Sequence, residues 1–255
     1  MVQHWVRYQH AGETGFGTID GDRIRVFAGD MFDAPTPTGN YLDAREATLL
    51  APVLPGKAIA LWNNFHALGK KLNLSTPAEP LYFIKPNNTY LDPQGVIRKP
   101  AQEGKVVFEG ELAIVIGKTA TCVSEEAALS HVFGYTCIND VTHAEILNRD
   151  PSFAQWTRSK GFDTFCPIGP VIATGLDPAT LTVRTILNGD VRQDYPISDM
   201  VFSAAQLVSR LSHDMTLNPG DMIMCGTSVG VGSMKPGSTV EIEIGGIGRL
   251  VNRFE

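Results

Sequence analysis

The sequence predicts a β-rich α+β fold with a small N-terminal β unit, and three observations carry that reading. Short runs of Val, Ile and aromatic residues, each closed by Gly, Pro or Asn, recur along the chain as strands bounded by turns do. Only three segments carry helix signals. Strands and helices never fall into the rhythm of a βαβ unit, and no internal repeat is present.

Trp5-Val6-Arg7-Tyr8 and Ile24-Arg25-Val26-Phe27 read as strands, with a turn at Asp20-Gly21-Asp22. Pro35, Pro37 and Gly39 then break the pattern, and Pro52, Pro55 and Gly56 break it again. This places a boundary near residue 50, with a small unit over 1–50 and the main domain over 51–255. Ala58–Trp62 is the first strand of the main domain, and Asn63–Leu72 a short helix. The strand 81–86 follows, then a long polar loop over 87–104, a length that in compact domains usually serves function. Leu112–Ile116 is a buried strand closed by Gly117. Ser124 as N-cap, Glu125 and Glu126 in the first turn and Gly134 just past the end predict a helix over 124–134. Tyr135–Ile138 is a strand, and Leu181–Leu187 one that turns at Asn188-Gly189. Ser203 and Gln206 form a capping box for a helix reaching about Ser212. Strands at 222–225, 239–244 and near 250 close the chain, with a glycine-rich loop over Gly226–Gly232.

Composition narrows the function classes. A formal net charge of −6 argues against nucleic acid or an anionic membrane as partner. No apolar run approaches the roughly 18 residues of a membrane span, and the first residues lack the layout of a signal peptide. Cys122, Cys137, Cys166 and Cys225 show no paired spacing, as expected of reduced thiols in a cytoplasmic protein.

The chemistry concentrates at Phe108-Glu109-Gly110-Glu111-Leu112. Side chains on a strand alternate faces, so Glu109 and Glu111 point the same way, about 7 Å apart at their Cα atoms. Two carboxylates on one side of a buried strand repel and lose hydration, which a cation between them offsets. Gly110 leaves room for another group to approach the backbone. Asp140 arrives at the end of a second apolar strand and makes a three-carboxylate set with them. Oxygen-only ligands select a hard cation such as Mg²⁺, Mn²⁺ or Ca²⁺ over zinc, and leave room in its shell for a bidentate 2-oxo acid. Lys160 is a candidate for holding a substrate carboxylate or developing enolate. His66, in a segment that could act as a lid, is a candidate general base. The backbone N–H groups near Gly226 and the Thr227 hydroxyl can receive a carboxylate.

Several of these segments together resemble one family. Glu109–Lys118 resembles the E-x-E-L-A-x-V-I-G-K core of the fumarylacetoacetate hydrolase family, and Gly134–Thr142 its G-Y-T-x-x-N-D-V-S segment. Lys160–Pro170 resembles K-x-x-D-T-F-x-P-x-G-P, and Leu217–Asp221 with Gly226–Gly230 the L-x-P-G-D and G-T-P-x-G pair. The match runs from about residue 58 to 253. The resemblance implies a mixed β-roll, a homodimer, and Mg²⁺ or Mn²⁺ held by Glu109, Glu111 and Asp140. It implies His66 as lid histidine, Lys160 on the enolate and Thr227 on the substrate carboxylate. The expected reaction is hydrolytic C–C cleavage of a small 2-oxo or 1,3-dioxo acid. The alternatives are decarboxylation, isomerisation or hydration of unsaturated 2-oxo diacids, as in the decarboxylase/isomerase members, or binding without catalysis.

Four positions depart from the family pattern. Gly69 stands where a glutamate often orients the lid histidine, leaving another acid such as Glu145 to do so. Ala144 and Glu145 replace an arginine-acid pair, and Ser228 replaces proline.

Overall fold

The computed structural model describes residues 2–255, and strands carry it as the sequence predicts, in sheets of twelve, five and three strands. The core of the large sheet runs in the spatial order Gln3–His10, Cys166–Thr174, Val132–Asn139, Gly110–Ile116, Met222–Met224, Ala58–Trp62, Leu81–Lys85. Gly110–Ile116 is buried along its whole length. It pairs antiparallel with Val132–Asn139 on one side and Met222–Met224 on the other. Met222–Met224 and Ala58–Trp62 pair in parallel, so the sheet is mixed.

The two faces of the central strand do different work. Leu112, Ile114 and Ile116 join a large core with Leu207 and Leu211 of the helix Ala204–Asp214 and with Val183 and Ile242 of the five-stranded sheet. Each of these side chains is fully buried, so truncation to Ala should cost about 2–5 kcal/mol. The opposite face carries Glu111 and Ala113. Gly110 has no side chain because the five-stranded sheet lies against it: a Cβ there would overlap Thr185 Oγ1.

Several elements differ from expectation, each for a physical reason. Residues 3–43 form a four-stranded meander in which Asp33–Asp43 holds Pro35, Pro37 and Gly39. That strand lies at the edge of the sheet and its register slips twice, so the missing proline N–H groups interrupt nothing beyond it. Gln3–His10 pairs with Cys166–Thr174 as well as with its own neighbours, so ladder hydrogen bonds join the N-terminal meander to the main sheet. The helix expected over 124–134 is one turn, Glu125–Ala128, followed by a 3₁₀ turn, Leu129–His131. Gly134 lies within the strand Val132–Asn139, where a Cβ would collide with the Ala173 carbonyl of the neighbouring strand. The first helix begins at His66 rather than Asn63, and Asn63 is left-handed at φ 55°. The loop over 87–104 is partly ordered into Tyr90–Leu91 and Val96–Ile97, which extend two different sheets. The helix Ala204–Asp214 carries the expected capping box in full.

Candidate metal centre and active site

The strand geometry delivers the acidic set the sequence anticipates. Glu109, Glu111 and Asp140 each present a carboxylate oxygen within 4.8 Å of the others. Backbone pairing explains how: Gly110 lies opposite Asn139, and the Asp140 N–H donates to the Glu109 carbonyl at 2.9 Å. The ends of adjacent strands therefore place both acidic segments side by side. Asn139 Oδ1 accepts the Glu109 N–H at 2.9 Å and Thr142 Oγ1 donates to Glu109 Oε1 at 2.9 Å. The Gly226 N–H donates to Glu111 Oε2 at 2.9 Å.

Two lysines face these acids. Lys160 Nζ donates to Asp140 Oδ2 at 2.5 Å and Glu109 Oε2 at 2.8 Å. Lys85 Nζ donates to the other oxygen of Asp140 at 2.6 Å and to the Phe165 carbonyl at 2.8 Å. Three carboxylates against two ammonium groups leave one net negative charge. Burial pushes the Glu111 carboxyl well above its ordinary range, and repulsion from Asp140 and Glu109 adds to it. Burial also raises Glu109, against the pull of Lys160. Burial works the same way on Asp140, but Lys160 and Lys85 together hold it below the ordinary range. The donor set fits a hard divalent cation: oxygen only, convergent, and with a surplus of negative charge.

The position of Lys160 follows from its helix. Trp156 and Lys160 lie four apart on Trp156–Lys160 and so share one face. Trp156 stacks on Phe83 at 5.2 Å between ring centroids, while Lys160 Nζ sits 5.3 Å from the centroid of the same ring. Phe83 and Lys85 alternate on the edge strand Leu81–Lys85, so one strand face anchors both lysines.

Of the remaining expected residues, Thr227 is bonded to the backbone between the two glutamates, whereas His66 is connected to it only through its neighbour Phe65. Thr227 is buried, with its hydroxyl donating to the Gly110 carbonyl at 3.0 Å and accepting from Gln193 Nε2 at 2.8 Å. His66 is exposed at the first position of the helix His66–Leu72. The preceding Phe65 packs edge-on against Tyr195 at 4.9 Å, and the Tyr195 hydroxyl donates to the Gly110 carbonyl at 2.5 Å. Gly69 is buried against Asn63, whose Oδ1 would lie 3.0 Å from an added Cβ, so a larger residue there would require Asn63 to shift. Glu145 is engaged by residues other than His66. Its Oε2 accepts the Lys105 N–H at 2.6 Å and lies 3.8 Å from His143 Nδ1.

Sequence reasoning passed over Lys85 and Gln193. Lys85 left one trace, a lysine at the alternate position to Phe83 in an otherwise apolar strand. Gln193 left none, because it sits among exposed polar neighbours on Asp190–Pro196 and its partners are far away in the chain.

Known proteins resemble this chain over most of its length. Residues 57–255 match the fumarylacetoacetate (FAA) hydrolase C-terminal family, and residues 3–52 match the family described as Rv2993c-like, N-terminal. The 2-hydroxyhepta-2,4-diene-1,7-dioate isomerase from Mycobacterium marinum superposes with a TM-score of 0.90 at 39% identity, covering 99% of this chain and 98% of that one. The 4-hydroxyphenylacetate degradation bifunctional isomerase/decarboxylase of Salmonella dublin is 39% identical over 92% of this chain, which spans 55% of that protein. The fumarylpyruvate hydrolase from Pseudomonas aeruginosa, solved in complex with Mn²⁺ and pyruvate, is 29% identical with a TM-score of 0.74, covering 81% of this chain and 91% of that one. With the family match extending over most of its length, the chain belongs to the fumarylacetoacetate hydrolase family.

Proposed function

We propose that this protein is a Mg²⁺- or Mn²⁺-dependent enzyme that converts a small 2-oxo acid through an enolate. One observation carries the reading: a buried ammonium, Lys160, bridges two members of a convergent three-carboxylate set. A hard cation held by Glu109, Glu111 and Asp140 would supply Lewis-acid polarisation of the substrate's keto group. Lys160 lies where negative charge on an enolate oxygen would be stabilised, in surroundings dry enough to make that interaction strong. The Gly226–Gly230 loop seats the substrate carboxylate beside Thr227. His66, on an exposed helix start, moves the proton.

Isomerisation or decarboxylation of an unsaturated 2-oxo diacid is the outcome favoured here. Isomerisation needs only proton transfer at carbon, and decarboxylation needs loss of CO₂ followed by protonation of the enolate carbon, so neither requires an activated water. Neighbours covering nearly the whole chain carry isomerase names. C–C hydrolysis of an acylpyruvate is the second reading, supported by the fumarylpyruvate hydrolase likeness. It also requires a base oriented to activate water, and neither Gly69 nor Glu145 provides that orientation. The reading includes a homodimer acting in the cytoplasm, which sedimentation velocity and cell fractionation test. Among the described residues no helix is long and apolar enough to cross a membrane.

The deciding experiment incubates the protein with Mn²⁺ or Mg²⁺ and a panel of acylpyruvates, oxaloacetate and unsaturated 2-oxo diacids, followed by enol absorbance and NMR. Metal-dependent conversion of at least one compound is expected. Binding without conversion would instead identify a 2-oxo-acid-binding protein that has lost the chemistry.

A further inference from the structure

Where the strand Met222–Met224 ends, its neighbour loses a partner. Backbone pairing between the two spans only Ala113–Val115, with one more bond from the Cys225 N–H to the Leu112 carbonyl at 2.9 Å. Residues two apart on a strand direct their N–H and C=O groups to the same side. Those of Gly110 therefore face the gap in which a longer strand would have lain.

The Gln193 side chain occupies that gap. Its Oε1 accepts from the Gly110 N–H at 3.1 Å and from the Thr185 hydroxyl at 2.8 Å. Its Nε2 donates to Thr227 Oγ1 at 2.8 Å and to the Ser228 carbonyl at 3.2 Å. Thr227 closes the ring by donating to the Gly110 carbonyl at 3.0 Å. A side-chain amide carries the same donor and acceptor as a peptide, so it can replace a missing ladder rung. Gln193 is 1% exposed, and water cannot take over these bonds.

We propose that Gln193 is a positioning residue of the acidic centre, a surrogate peptide that locks Gly110 and so sets the separation of Glu109 and Glu111. Glycine is the freest residue in the backbone, and here it joins two ligand-bearing neighbours. Tyr195 and Thr227 hold the Gly110 carbonyl, but the Gly110 N–H bonds to Gln193, and without that bond the Glu109–Gly110 peptide is free to turn and carry the Glu109 carboxylate with it. The same amide holds the loop whose Gly226 N–H bonds Glu111, so one side chain bears on the setting of both glutamates. The inference rests on the reading of Glu109, Glu111 and Asp140 as metal ligands.

The test is Mn²⁺ titration by calorimetry on the wild type, Gln193→Met, and Leu211→Ala as a stability control on a helix that carries none of the site residues. Gln193→Met should raise the Kd for Mn²⁺ by about tenfold or more, the range found for partners that orient metal ligands. Leu211→Ala should lower Tm and leave the Kd unchanged. Wild-type affinity in Gln193→Met would overturn the proposal and leave the metal centre standing, as would an equal loss of affinity in Leu211→Ala. A wild type that binds no Mn²⁺ would overturn the metal centre itself and the proposal with it. If Gln193→Met does not fold, Thr185→Val, which removes one bond to Oε1, carries the test: a weaker Kd supports the clamp and an unchanged one overturns it.

Discussion

Replacing Lys85 by Met probes the charge balance of the centre with little change in shape. The Lys85 side chain is fully buried, and its ammonium donates to Asp140 at 2.6 Å and to the Phe165 carbonyl at 2.8 Å. Met keeps the unbranched stem and removes the charge and the donors. Asp140 then keeps one ammonium partner, the Phe165 carbonyl loses its charged donor, and the net charge of the cluster moves from one negative to two. Breaking a buried ion pair from one side costs about 3–5 kcal/mol. The surviving Lys160–Asp140 contact at 2.5 Å places the loss at the lower end, about 3 kcal/mol. For a chain of this size that corresponds to a fall in Tm of about 6–12 °C. The assay is urea and thermal unfolding in EDTA, repeated with saturating Mn²⁺, where the added cation should narrow the gap. A loss below about 1 kcal/mol in EDTA would refute the argument, because a buried ammonium paired in this way cannot be removed so cheaply.

Glu111→Gln should lower Mn²⁺ affinity by about a thousandfold or more, since two unit charges at ion-pair distance are worth about 4 kcal/mol at the effective dielectric of such a site and the cation is divalent. The metal-free protein should be no less stable, because at neutral pH the wild type pays to bury a carboxyl whose pKa is raised by desolvation and two acidic neighbours. Calorimetry and unfolding in EDTA check both signs. His66→Ala should cut turnover by about 10²–10⁴-fold and leave Mn²⁺ affinity near wild type; a full rate would remove His66 from the mechanism. Iodoacetamide at pH 8 should label exposed Cys122 in the native protein and spare Cys166, whose thiol burial pushes up to about 12. Prompt labelling of Cys166, read by peptide mass spectrometry, would contradict that burial.

The acidic centre was legible because strand alternation is a local rule. Glu109 and Glu111 must share a face once 112–116 is read as a strand, and Asp140 sits at the end of the next apolar run. Gly110 was legible as a point of close approach, although only the structure shows that Thr185 makes it. Partners supplied from a distance were not legible. Lys85 is 55 residues from Asp140 and Gln193 is 83 from Gly110, and no local pattern reports such contacts. The edge strand through Pro35 and Pro37 was hidden for a related reason. Proline argues against a strand only where both edges are paired, and sheet order decides that. Gly134 misled because the same residue suits a helix end and a crowded strand, and Ala173 on a neighbouring strand selects the second. The position of His66 rests on a short helix whose entry is set by Asn64, which bonds the Cys225 carbonyl and the Phe202 N–H, again far along the chain.

The central claim is that Glu109, Glu111 and Asp140 hold one hard cation in common. A crystal soaked in Mn²⁺ and examined at the manganese absorption edge tests it most directly. The account predicts a single anomalous peak among the three carboxylates, with Lys160 still in contact with Asp140. A peak elsewhere, or none at an Mn²⁺ concentration that supports turnover, would contradict it.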